Sequence, residues 1–169
     1  MNAVPRIRAK WELHLLRHAD AGDPAAWAGD DADRPLSPKG ERQAERLASF
    51  LADRGLTPDA IISSPLVRAR QTAEIVGGRL GIGVAIDERL AGPLGVAVLD
   101  QVLAESGRPA RPILVGHDPA FSELLTALSG AELSMRKGAF ARLEIRGDVA
   151  DGKAALRWLI PPDALAPHG

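Results

Sequence analysis

The feature that most constrains this chain is a short apolar run that stops abruptly at a basic pair. Leu13, Leu15 and Leu16 surround His14, and the chain then turns polar at Arg17-His18 before Gly22, Asp23 and Pro24 break regular structure. A run of this length reads as a strand at 12–16, covered on both faces in a mostly parallel sheet. In open α/β sheets, ligands bind just past the carboxyl ends of the strands. An arginine beside a histidine at that point suggests an anion site.

Two more junctions of this kind follow. Asp59-Ala60-Ile61-Ile62 runs into Ser63-Ser64-Pro65, with Arg68 shortly after, and Pro112-Ile113-Leu114-Val115 runs into Gly116-His117-Asp118-Pro119. Each reads as a buried strand followed by a capping residue and a proline at the first helical position. Arg68 is expected about one turn into its helix, close enough to reach back over the junction. Parallel strands that feed helices bring all three junctions to one sheet edge, where helix N-termini favour an anion.

The remaining elements fit the same layering. Ser37-Pro38 starts a helix whose apolar face is Ala44, Leu47, Ala48 and Leu51, ending at Gly55. The helix after Pro65 turns Ala69, Thr72, Ala73 and Val76 inward and is expected to end at Gly77-Gly78. A short strand at 84–86 and a helix near 95–105 follow, then a helix buried through Phe121, Leu124, Leu125 and Leu128. Strict alternation at Ala139, Ala141, Leu143, Ile145 and at Ala154, Leu156, Trp158, Ile160 predicts an antiparallel hairpin at the sheet edge. The expectation is one α/β domain over 1–169: a mostly parallel central sheet, helices on both faces and an antiparallel C-terminal edge hairpin. A loose arm at 1–10 and a Pro-rich tail at 161–169 flank it.

Composition excludes several functions. Lysine plus arginine number 21 against 22 aspartates and glutamates, so nothing in the balance marks a nucleic-acid binder. The absence of cysteine removes disulfides, thiol catalysis and thiolate metal sites. No apolar run approaches the ~20 residues of a membrane span, and no signal peptide is visible before Trp11. A cytoplasmic protein is expected, with no membrane partner. The acidic loop between Asp20 and Pro35 carries Asp20, Asp23, Asp30, Asp31 and Asp33 without calcium-loop spacing. It reads as a solvated segment over the site mouth, with Trp27 a packing residue and substrate contact its alternative role. His14 reads as a satisfied core or edge histidine, and Arg70 and Arg89 as solvated charges.

Two arginines, two histidines and helix ends around one point describe a phosphate pocket. The residues that compose it also resemble a family. Leu15-Leu16-Arg17-His18-Ala19, the run from Ser63 to Ala73, and Leu114-Val115-Gly116-His117 are similar to the three signature blocks of the histidine phosphatase superfamily, which has the phosphoglycerate mutase-like fold. Arg34-Pro35-Leu36-Ser37 with Gly40, Lys137-Gly138-Ala139 and Ala19 after the first block resemble the SixA-type phosphohistidine phosphatases.

The resemblance implies a metal-independent, cofactor-free two-step phosphoryl transfer. His18 would be the nucleophile, Arg17 and Arg68 would hold the phosphoryl oxygens, and His117 would complete the pocket. The two arginines should lower the His18 pKa and keep the ring neutral. Asp87 and Glu88 are the candidates for a general acid, and Glu88 is the choice. The implied substrate is a phosphohistidine protein. A small phosphorylated compound is the alternative within the class, and a catalytically silent phosphoprotein-binding module is the alternative outside it.

Overall fold

The computed structural model describes residues 9–168. Six strands form one sheet in the order β3-β2-β4-β1-β5-β6. They are β1 (Lys10–Arg17), β2 (Ala60–Ser63), β3 (Val84–Ile86), β4 (Pro112–Gly116), β5 (Phe140–Arg146) and β6 (Ala154–Ile160). Strand β1 pairs parallel with β4, and β2 pairs parallel with both β3 and β4. Strand β5 runs antiparallel to β1 and to β6, so the hairpin forms the expected antiparallel edge. The helices are α1 (Pro38–Asp53), α2 (Val67–Leu80), α3 (Val96–Glu105) and α4 (Ala120–Ser129).

The sheet separates two cores. Leu13 and Leu15 of β1 pack with Leu99, Val102 and Leu103 of α3 and with Phe121, Leu124, Leu125 and Leu128 of α4. Leu16 belongs to the opposite face, with Leu47, Ala48 and Leu51 of α1 and Ala69, Ala73 and Val76 of α2. The two-residue alternation of strand side chains divides neighbours in β1 between these cores. His14 shares the second face: it is fully buried, its ring centroid lies 5.5 Å from that of Phe140, and its Nδ1 is 3.0 Å from the Pro112 carbonyl. Its Nε2 lies 3.2 Å from the Glu12 carboxylate without a hydrogen bond, so this core histidine is partnered through Nδ1.

Helix ends account for most departures from expectation. Ser37 caps α1 by accepting from the Gly40 N–H at 3.1 Å, with Pro38 in the first helical position. In contrast, Ser64 does not cap α2 directly. Its hydroxyl accepts from Leu66 N and bends the chain, and the helix begins at Val67, so Arg68 is its second residue. Helix α2 also passes through Gly77-Gly78 and ends at Gly81, whose φ of 72° supplies the left-handed C-cap. Gly77 is inside for packing: a Cβ there would meet the Ile82 carbonyl oxygen at 2.5 Å. Helix α4 starts at Ala120, not Pro119, and Asp118 accepts from Ser122 N from just outside the helix.

At the start of the chain, Lys10 is the first residue of β1, and the rest of the expected arm up to residue 8 lies outside the described residues. At the other end, the expected tail contains a 3-10 turn at Pro162–Leu165, with Pro162 buried and Leu165 packed on the α1 side. Among the described residues, no helix is long and apolar enough to cross a membrane.

Helix α1 presses its first turn on the loop that follows β1. Ser37 N donates to the Asp20 carbonyl at 3.0 Å, and a Cβ on Gly40 would sit 1.9 Å from that same oxygen. Backbone cannot yield as a flexible side chain does, so Gly40→Ala should cost about 1–3 kcal/mol. A urea midpoint measured against the parent protein checks this, and an unchanged midpoint would mean that the loop after His18 is not held by α1.

Candidate phosphate-binding site

Three chain segments converge at the carboxyl edge of the parallel strands. Register places Arg17 opposite Gly116, and His18 N donates to the Gly116 carbonyl at 3.0 Å. This sets His18 beside His117, with ring centroids 5.1 Å apart. Strand β2 lies on the other side of β4, and Ser64 N donates to the Val115 carbonyl at 2.9 Å. His117 Nε2 shares a 2.7 Å hydrogen bond with Ser64 Oγ. The first turn of α2 carries Arg68, whose positive charge acts on both imidazoles.

The His18 ring is fixed by a backbone contact. Its Nδ1 lies 2.8 Å from the Ala19 carbonyl oxygen, which can only accept, so Nδ1 carries the hydrogen. In the neutral ring, Nε2 therefore holds the free lone pair. His18 is 5% exposed, and burial is the main cause that pushes its pKa down to about 3. The neighbouring charges of His117, Arg68 and Arg17 act in the same direction, while the Ala19 contact opposes them. The arginines thus contribute as expected, but desolvation contributes more. His117 is pushed down to about 4, again chiefly by burial and then by Arg68 and Arg17.

Each arginine of the cluster is held by backbone and carboxylate oxygens. Arg17 Nη1 donates to the Met135 carbonyl at 2.7 Å and to Asp118 Oδ2 at 3.3 Å. Asp118 is itself fixed by the Ser122 N–H and hydroxyl. Arg68 Nη1 donates to the Asp31 carbonyl at 2.8 Å, and Nη2 donates to Asp31 Oδ2 at 3.1 Å. Five buried side-chain nitrogens have no hydrogen-bond partner among the described residues, and three of them, Arg17 Nε, Arg68 Nε and His117 Nδ1, belong to this cluster. Unpaired buried donors are costly, and the two guanidinium N–H groups suit an oxyanion, with His117 Nδ1 a third donor in the tautomer that accepts from Ser64.

The cluster contains all four of Arg17, His18, Arg68 and His117. Glu88 follows Asp87 at the same sheet edge. Glu88 begins a 3-10 turn at Glu88–Ala91 and is exposed, and among the described residues it makes no hydrogen bond or ion pair with the four. Asp87 N donates to the Ser63 carbonyl, so the segment reaches the same edge, but the Asp87 carboxylate is bound to Arg89. Arg89 also pairs with Glu105, and Arg70 with Glu74. Trp27 is 39% exposed and directs its Nε1–H at the Asp30 carbonyl. The sequence alone does not mark Asp31 and Asp118 as partners of the arginines: one lies among solvated loop charges and the other reads as a helix cap. Their sequence positions, in a loop rich in aspartate and next to His117, were the available signals.

Fold and site together define an α/β protein with a pocket of two arginines and two histidines at the carboxyl edge of its sheet. A model of the histidine phosphatase superfamily (branch 1) matches residues 13–92. An uncharacterized protein of Picosynechococcus sp. is 38% identical over 133 residues, covering 75% of this chain and 80% of that one. A solved structure from Nakamurella, assigned as the phosphohistidine phosphatase SixA, is 27% identical with a TM-score of 0.77, covering 91% of this chain and 97% of that one. One from Agrobacterium tumefaciens with the same assignment is 25% identical with a TM-score of 0.73, covering 94% and 99%. The chain belongs to the histidine phosphatase superfamily, in its SixA-type branch, and is a phosphatase.

Both histidines bind protons in the unfolded chain near pH 6.5 and resist them when folded, down to about 3 for His18 and about 4 for His117. Unfolding therefore takes up protons in that window, and stability must fall as the pH drops below 6.5. Between pH 6 and 5, His18→Asn should make this decline shallower by about one proton. Urea denaturation at several pH values reads the slope, and an unchanged slope would show that His18 is not buried neutral.

Proposed function

We propose that this phosphatase acts on protein phosphohistidine through a phosphohistidine intermediate on His18. The observation that carries this reading is the state of the carboxylates. Asp118 and Asp31 are bound to the pocket's arginines, and among the described residues Glu88 is exposed and makes no hydrogen bond or ion pair with the four. An ester substrate expels an alkoxide and gains ~10²–10⁴-fold from a positioned acid. A phosphorylated imidazole leaves readily once protonated from solvent, so a pocket in which no carboxylate is hydrogen-bonded to His18 or His117 favours phosphohistidine.

The chemistry follows from the ring geometry. The Nε2 lone pair of His18 attacks phosphorus, the substrate N–P bond breaks, and the departing imidazole takes a proton from water. Water then attacks the phosphoryl group on His18, the Nε2–P bond breaks, and inorganic phosphate leaves. Arg17 and Arg68 hold the equatorial oxygens through guanidinium N–H groups, and His117 adds a further donor. Holding Nδ1–H on the Ala19 carbonyl keeps Nε2 available throughout and stabilises the positive ring of the intermediate.

A small phosphomonoester remains the second reading, supported by the Asp87-Glu88 segment at the same edge. Phosphate release from a phosphohistidine carrier protein and from p-nitrophenyl phosphate separates the two. We expect faster release from the carrier, and a loss of at least ~10³-fold in His18→Ala. Release mainly from the aryl ester, abolished in Glu88→Gln, would replace the protein substrate with a small one. Phosphate binding without turnover of either would make the chain a binding module.

A further inference from the structure

Arg68 is held at one end only. Its Nη1 and Nη2 donate to two oxygens of a single residue, the Asp31 carbonyl at 2.8 Å and the Asp31 carboxylate at 3.1 Å. A guanidinium has five N–H donors, so three remain, among them the buried, unpartnered Nε–H. The edge that carries Nε and one Nη is the edge a phosphoryl group would take in a two-pronged contact.

The residue that grips Arg68 is itself built in. Asp31 Oδ1 accepts from Arg34 Nε at 2.9 Å, and Arg34 is buried with Nη1 donating to the Ala21 carbonyl at 2.6 Å. Ala21 lies three residues beyond His18. The 3-10 turn of Asp31–Asp33 is closed by Asp30, whose carboxylate accepts from Ala32 N at 3.0 Å. A continuous chain of contacts thus runs from the His18 loop through Arg34 and Asp31 to Arg68.

We propose that Asp31 is a positioning residue for this pocket, holding the terminal edge of Arg68 so that the Nε edge meets the phosphoryl oxygens. The proposal rests on the reading of Arg68 as a phosphate ligand. Loss of the carboxylate charge has two opposed effects. At long range it makes the pocket more positive and should strengthen anion binding. Locally it frees Arg68 to leave its binding geometry. The Asp31 side chain is 56% exposed, so water screens the first effect, and the local one prevails.

The test uses the full chain and inorganic phosphate, with binding measured by calorimetry. Asp31→Asn should weaken phosphate binding about tenfold, while Asp31→Glu, which keeps the charge, should stay within about threefold of the parent. Asp33→Asn removes a charge from the same turn and should change binding less than about twofold. In an Arg68→Lys background, which has no guanidinium fork, Asp31→Asn should have little further effect; a merely structural role would weaken binding in both backgrounds. Equal or tighter binding in Asp31→Asn, or an equal loss in both backgrounds, overturns the proposal. The turn buries no residue, so these variants should fold, and a thermal melt verifies it. Because the readout is binding, a protein that binds phosphate but hydrolyses neither substrate would refute the phosphatase substrate reading and leave this test standing.

Discussion

The parallel pairing of β1 with β4 is the constraint from which the pocket follows. Arg17 lies opposite Gly116, and the next residue on each strand is a histidine. A parallel register sends both chains out of the sheet at the same end, so two imidazoles separated by about a hundred residues of sequence meet there. Pairing of β2 on the far side of β4 then delivers Ser64 and the first turn of α2. A shift of one residue in the β1–β4 register would exchange the buried faces of β1 and part His18 from His117.

Burial and charge divide the work inside the pocket. Desolvation does most to keep His18 and His117 neutral, and the guanidiniums add to it. The same arginines would be costly neighbours if they were left bare. Each is tied to a carbonyl and a carboxylate, so its position is set before any anion arrives. Such preorganisation suits phosphoryl transfer, which depends on placement and charge more than on covalent participation by the protein.

Local sequence carried most of the architecture. Leu13, Leu15 and Leu16 announce a strand buried on both faces, and the alternation after Ala139 announces the hairpin. The boundaries of α2 were less legible. Ser64 serves the Leu66 N–H and His117 together, which delays the helix, and Gly77 resembles a stop while serving close packing against the chain before β3. Arg17, His18, Arg68 and His117 could be named because each sits at a strand-to-helix junction. Asp31 and Asp118 could not, because their partners lie far away in sequence and depend on how loops fold over the sheet edge. Asp87 and Glu88 are candidates through their place between the second and third blocks, and the preference for Glu88 rests on local context without a firm motif.

The hairpin reaches the pocket as well. Gly138 N donates to the carbonyls of Arg17 and His18, and Arg17 N donates to the Ala139 carbonyl. The peptide groups around the nucleophile are therefore stitched to β4 on one side and to the lead-in of β5 on the other. His18 has no hinge of its own, and displacing it requires opening the sheet between two central strands. An anion bound there is thermodynamically linked to the cooperative unit, so its binding free energy adds to the resistance of the whole sheet to unfolding.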